Sequence, residues 1–257
     1  GNDLARFAEK HGWIAFGQYH DMQPGVFTVD YELALDGFSL IMVLLTSILA
    51  ALSAAASVSI KNNWKSYFML LLLLEVGMLG VFMAQNLILF FIFFEITLIP
   101  MFFLIGKWGF MAREKAAYQF LLYNGFGSAI LLIVIILLFS KTGTTNLALL
   151  SQLLNTPDVQ LIGPISEDFK LGLMIALIIA FGVKLPIFPL HTWMLRVHVQ
   201  APPPIVMLHS GILLKIGAFG LIKFGLGLFP NEFSKLSTIL IILGLVNLLY
   251  GAFLALI

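Results

Sequence analysis

Three ionisable side chains stand inside long apolar runs, where charge is expensive. Lys184 interrupts FGVKLPIFPLHTW (181–193), Lys215 interrupts GILLKIGAFG (211–220), and Glu95 interrupts LILFFIFFEITLIPMFFLIG (87–106). A charged side chain near the middle of a bilayer costs about 2.5–3.5 kcal/mol on insertion scales, and residues that carry such a cost mark ion or proton pathways. A carboxylate near a lysine holds it charged, and a desolvated ammonium that loses this counter-ion gives up its proton. The chemistry expected of these residues is therefore proton exchange. Glu95, Lys184 and Lys215 are expected to meet along one wet track inside a helical bundle.

Lys184 is followed at once by Pro186 and Pro189. Each proline removes a backbone donor and obstructs the carbonyl four residues back. The helix should break just past the lysine and free carbonyls such as those of Gly182 and Leu185, which a membrane tolerates only inside protein or beside a wet cavity. The competing reading is a lysine that snorkels to a surface about six residues, roughly 9 Å, away. Lys215 lies too near the centre of its segment for that escape, and Gly211, Gly217, Ala218 and Gly220 around it permit close helix contact.

Glu75 sits mid-segment in YFMLLLLLEVGMLGVF, at a depth similar to Glu95 across the tight turn at Gln85–Asn86. Two carboxylates at one level cannot both stay ionised without cations. Glu75 is thus a second proton carrier or a protonated group that bonds across helices. His209, six residues ahead of Lys215, suits a relay, because imidazole titrates near neutrality. His191 and His198 flank a connector, where His191 serves as a relay or bonds the broken helix. His11 and His20 lie in the polar N-terminal stretch. No HxxxH or HExxH spacing occurs, so no metal site is expected.

The elements that position these residues follow from composition. The 257 residues are 60% hydrophobic and 11% charged, with mean hydropathy +1.02. Soluble domains are about 25% charged, so this is a polytopic membrane protein. Seven apolar stretches, approximately 37–60, 65–84, 87–106, 115–140, 170–190, 204–224 and 234–256, are each near the length that crosses a bilayer as helix. Continuous runs argue against alternating barrel strands. The expected fold is an all-α transmembrane bundle of about seven helices, one broken by proline, comprising residues 37–257.

Lys61, Lys65, Lys107, Arg113, Lys115 and Arg196 gather at one end, opposed by Glu114. The positive-inside rule turns that end to the cytoplasm. Residues 1–36 then form an extracytoplasmic loop, with GVFTVDYEL as a short extended piece and Asp36 capping the first helix. SQLLNTPDV (151–159) reads as a short surface helix on the same side. The chain begins at Gly1, lacks signal-peptide features, and stops inside an apolar segment, so both ends are expected to be cuts in a longer protein. Without cysteine there is no thiolate-bound iron–sulfur cluster, thiol nucleophile or disulfide in this chain. No P-loop or dinucleotide fingerprint appears, a net charge of +1 rules out an overall basic character suited to nucleic acid, and no basic patch is interleaved with aromatics.

LALDGFSLIMVLLT, NLILFFIFFEITLIPMFFLIGKWG, FGVKLPIFPLHTW, and HVQAP leading into GILLKIGAFGLIKF together resemble, in order, the antiporter-like membrane subunits of respiratory complex I, and among them the subunit-M branch. The similarity covers about residues 33–257. It implies the third to ninth of fourteen helices, with the first of two inverted five-helix units at about 65–224. On this pattern Glu95 matches the family's fifth-helix glutamate, Lys184 the lysine on its broken seventh helix, and Lys215 its eighth-helix lysine. These are its proton-channel residues, while Glu75 matches no fixed role. One departure stands out. The family commonly reads HxWLPDAHxxAPT where this chain has HTWMLRVHVQAPPP, with Leu195 and Arg196 in place of a proline and an acidic residue.

The resemblance implies a proton-translocating subunit of an NADH–quinone oxidoreductase in a bacterial inner membrane. Other membrane subunits would surround it, and flavin and iron–sulfur clusters would reside in partners. No cofactor is expected in this chain itself. The alternatives are an Mrp-type cation/proton antiporter subunit, a membrane-bound hydrogenase subunit, or a structural subunit whose charges only lock helices together.

Overall fold

A computed structural model describes residues 8–16, 27–156 and 162–256. Its helices form where the apolar runs predict them, and the caps are visible in the sequence. Helix α1 (Gly37–Ala56) begins on Asp36, whose carboxylate accepts from Ser39 N at 2.6 Å. Helices α2 (Trp64–Met83) and α3 (Leu87–Trp108) form a tight hairpin, and Asn86 caps α3 by accepting from Ile88 N. Helix α4 (Arg113–Thr142) ends at Gly143, which adopts a left-handed φ of 72° that favours glycine. A short helix α5 (Leu147–Asn155) and then α6 (Glu167–Lys184) follow, α6 being capped by Ser166. The connector at 192–200 is itself helical, α7 (Thr192–Gln200). Helix α8 spans Pro203–Leu226 and α9 spans Pro230–Leu256.

Six of these helices are long and apolar enough to cross a membrane: α1, α2, α3, α4, α8 and α9. The seventh expected span, α6, starts at Glu167 rather than 170 and stops at Lys184 rather than 190. Two acids in its first turn and lysines at 170 and 184 lower its apolar character. It packs on α4 and α8. Helix α3 is central, between α2 and α4, while α9 runs along the outside against α6 and α8. Phe90, Phe94, Phe181 and Phe224 interlock where α3, α6 and α8 meet. Gly127 lets α4 approach α6 until a Cβ there would lie 2.9 Å from the Ala180 carbonyl oxygen.

The end opposite the basic connectors carries a hairpin of β1 (Ala8–Phe16) and β2 (Phe27–Ala34), antiparallel with Ala8 facing Ala34 and Phe16 facing Phe27. The extended piece expected within GVFTVDYEL is β2. Its partner β1 was not foreseen, because its pattern is polar and mixed. The hairpin is stitched to the helix ends, with Thr28 N donating to Gly143 O at 3.0 Å and Gln85 N to Glu32 O at 3.1 Å. The short helix expected at 151–159 begins earlier, at Leu147, and residues 157–159, like Tyr19 and His20, lie outside the described residues.

Candidate functional site

Lys184 is the last residue of α6, and the chain leaves the helix there because prolines 186 and 189 cannot continue it. Its side chain is 2% exposed, so it does not snorkel. The ammonium lies over the rings of Phe94 at 4.8 Å and Phe120 at 5.7 Å from their centroids. Cation–π attraction of this kind is worth roughly 2 kcal/mol when desolvated. The Glu95 carboxylate, on the turn next to Phe94, is the negative charge that acts on the lysine. The two are not in contact: Lys184 Nζ and Glu95 Oε1 are both buried without a hydrogen-bond partner. Buried polar atoms are nearly always satisfied, and exceptions cluster where function uses them. Asn124 Oδ1 and Ser128 Oγ are unpartnered as well, on the face of α4 that bears Phe120 and packs on α6.

The break is built rather than loose. Ile187 N donates to Gly182 O at 2.8 Å, and the Trp193 indole donates to Val183 O at 3.1 Å. The Gly182 carbonyl, expected to be free, is therefore occupied, because the chain tightens into a turn after the helix. Asn247, reaching from α9, supplies the remaining partners. Its Oδ1 accepts from Phe188 N at 2.7 Å and its Nδ2 donates to Pro186 O at 3.3 Å. His191 stacks on Phe188 and meets Tyr250 edge-on, with centroids 5.4 and 5.0 Å apart. It supports the break by packing, for neither ring nitrogen has a hydrogen-bond partner.

His209 joins the same site from α8. It is fully buried, meets Phe120 and Trp193 edge-on, and its Nδ1 shares a hydrogen bond of 2.9 Å with His198 Nε2 on α7. The wide turn of α8 at His209–Leu213 places this imidazole, and such π-type turns recur at functional sites. His198 lies in the connector outside the spans, and burial holds its imidazole below the ordinary histidine range. Phe120 thus borders both Lys184 and His209, and His209 is hydrogen-bonded in turn to His198 at the basic end.

Lys215 does not join this site. It sits on the exposed side of α8, and its Nζ donates to the Ser210 carbonyl at 3.1 Å. The expected meeting of Glu95, Lys184 and Lys215 on one internal track is corrected accordingly. The buried face of α8 there is formed by Ile212, Leu213, Ile216 and Gly217, which leaves residue 215 pointing outward. Glu75 is half-buried on α2 and makes no hydrogen bond or ion pair among the described residues. Gly77 faces Thr97 and Gly80 faces Phe93 across the hairpin. This register sets Glu75 opposite about residue 98, roughly 4.5 Å along the axis from Glu95, close to the expected level.

Sequence reasoning passed over Asn124, Ser128, Asn247 and Lys223. Asn124 and Ser128, four apart in an apolar helix, are a legible polar stripe, whereas nothing in the sequence ties Asn247 to a break some sixty residues away. Lys223 is held at the far end of α8, donating to Ala84 O at 3.0 Å and lying over Phe219. Among the described residues no group of His, Asp or Glu could hold a metal ion.

The family described as NADH:quinone oxidoreductase/Mrp antiporter, transmembrane, matches residues 84–257. The chain belongs to this family. It is 35% identical over 242 residues to NADH-quinone oxidoreductase subunit M of Rhodobacter capsulatus, covering 93% of this chain and 47% of that protein. It is 36% identical over 251 residues to NAD(P)H-quinone oxidoreductase chain 4 1 of a Synechococcus strain, covering 96% of this chain and 43% of the other. The chain spans about half the length of these curated relatives. Among solved structures, a chain of respiratory complex I from Thermus thermophilus with bound NADH superposes with TM-score 0.74 at 29% identity, over 95% of this chain and 49% of that one. A chain of the Mrp complex from a Dietzia species gives TM-score 0.65 at 25% identity, over 77% and 36%. The all-α membrane fold and the resemblance read from the motifs are those of the family.

Proposed function

We propose that this chain belongs to a proton-translocating membrane subunit of an NADH–quinone oxidoreductase in a bacterial inner membrane. The observation that carries the reading is Lys184, buried at the break of α6 between two aromatic rings and within the field of Glu95. With Glu95 near, the ammonium stays charged. When the two separate, the lysine releases its proton towards His209. His209 and His198 connect the site to the basic end of the bundle, so protons are loaded there. Lys215 acts on the outer face of α8, where an ammonium is tolerable only against polar groups of a neighbouring segment or subunit. Glu75 serves as a reserve proton site beside Glu95. On this reading electron transfer belongs to partner subunits carrying flavin and iron–sulfur clusters, and this chain, which has no cysteine, offers no thiolate to ligate a cluster.

The test is Lys184→Ala in the intact complex. NADH oxidation should continue while proton pumping into inverted vesicles falls. Unchanged pumping per NADH would refute the role of Lys184. The second reading, a cation/proton antiporter subunit, is favoured by the family description itself and by the likeness to the Dietzia Mrp chain. It predicts sodium–proton exchange under an imposed gradient with no NADH or quinone present, and the redox reading predicts none.

A further inference from the structure

We infer that the basic end of the bundle carries a binding site for the headgroup of an anionic phospholipid, in the cleft between the first turn of α4 and the outer face of α7. The cleft has a volume of about 440 Å³, and its lining includes Lys115, Arg196, Leu195, Val199 and Ala116. No acidic side chain lines it, and neither cation is in an ion pair among the described residues. Both are exposed, as are Leu195 and Val199 beside them. The floor is fixed, with Ala116 buried. Gln200 joins the two walls, its Oε1 accepting from Ala112 N at 3.0 Å and its backbone carbonyl from Phe110 N at 2.7 Å.

This combination selects a ligand with an anionic head and an apolar body. Basic pockets between membrane helices hold lipid headgroups in this way, and the position, where spanning helices end, is headgroup depth. Leu195 and Val199 suit the upper part of an acyl chain, which a free anion would leave uncovered. Arg196 brings a planar donor fork that matches phosphate. Glu114, the acid of this region, lines the neighbouring clefts and leaves this one cationic.

The test uses the purified complex in phosphatidylcholine nanodiscs containing a photoactivatable phosphatidylglycerol. Crosslinks should fall within 112–116 and 195–200, and unlabelled phosphatidylglycerol should displace the probe about thirtyfold more effectively than phosphatidylcholine, at roughly 1 kcal/mol per cation. Lys115→Gln with Arg196→Gln should abolish this preference, Arg196→Lys should retain most of it, and Lys61→Gln, elsewhere at the same end, should leave it unchanged. Equal labelling by a phosphatidylcholine probe, retention of the preference in the double variant, or equal displacement by millimolar inorganic phosphate would overturn the proposal. So would crosslinks showing the cleft filled by another polypeptide of the complex.

Discussion

Asn247→Leu should loosen the break in α6 from a distance of about sixty residues. The carboxamide of Asn247 makes two bonds there, accepting from Phe188 N at 2.7 Å and donating to Pro186 O at 3.3 Å. Leaving a donor unsatisfied costs about 1–3 kcal/mol, and the longer bond is worth about 0.5 kcal/mol. Partial exposure of Phe188 keeps the sum near the lower end, at about 2 kcal/mol. That corresponds to roughly a thirtyfold rise in local opening. Amide hydrogen exchange reads it directly, because the Phe188 amide is itself the protected group and both flanking prolines lack one. In the intact complex, exchange over 187–190 should accelerate by about that factor, with little change in α3. Asn247→Asp keeps the acceptor for Phe188 N and should lie between the two. If Asn247→Leu left exchange at 187–190 unaltered, the break would be held by its own turn and by His191 packing, and α9 would have no grip on it.

Gly217→Ala would place a Cβ 2.7 Å from the Phe181 carbonyl oxygen and from Leu185 N, which are backbone atoms that cannot swing aside. Helix α8 should be pushed off α6 at a cost of about 1–3 kcal/mol, seen as a lower thermal midpoint of the membrane arm. Burial lowers the affinity of His198 for a proton. The native state therefore binds fewer protons than the unfolded chain just below the ordinary histidine pKa of about 6.5. Its contribution to stability is complete above that pH and is lost as pH falls. The thermal midpoint of the native complex should drop more between pH 7 and pH 5.5 than that of a His198→Gln variant, and parallel curves would show that His198 stays solvated.

The spanning helices are legible in the sequence because lipid-length apolar runs admit one backbone solution, and the start of α1 because Asp36 caps it through a short side chain to a nearby amide. The buried Lys184 beside a proline break is legible for the same local reason. What is not legible is rotation. Lys184 and Lys215 look alike as single charges in apolar runs, but the packing of α8 against α6 turns one inward and the other outward. The His198–His209 bond and the reach of Asn247 depend on how distant helices dock, which no local spacing encodes. The strand β1 is silent because an exposed, mixed polar sequence gains its order from pairing with β2.

The central claim is that Glu95 and Lys184 act as one proton-exchanging unit. The decisive measurement is the proton-to-electron ratio of the intact complex in Glu95→Gln, Lys184→Ala and the double variant, with NADH oxidation monitored in the same vesicles. The account predicts a lowered ratio in each single variant and no further loss in the double, because removing either partner already disables the pair. Losses that add in the double variant, or a ratio that stays at the native value in Lys184→Ala, would contradict it.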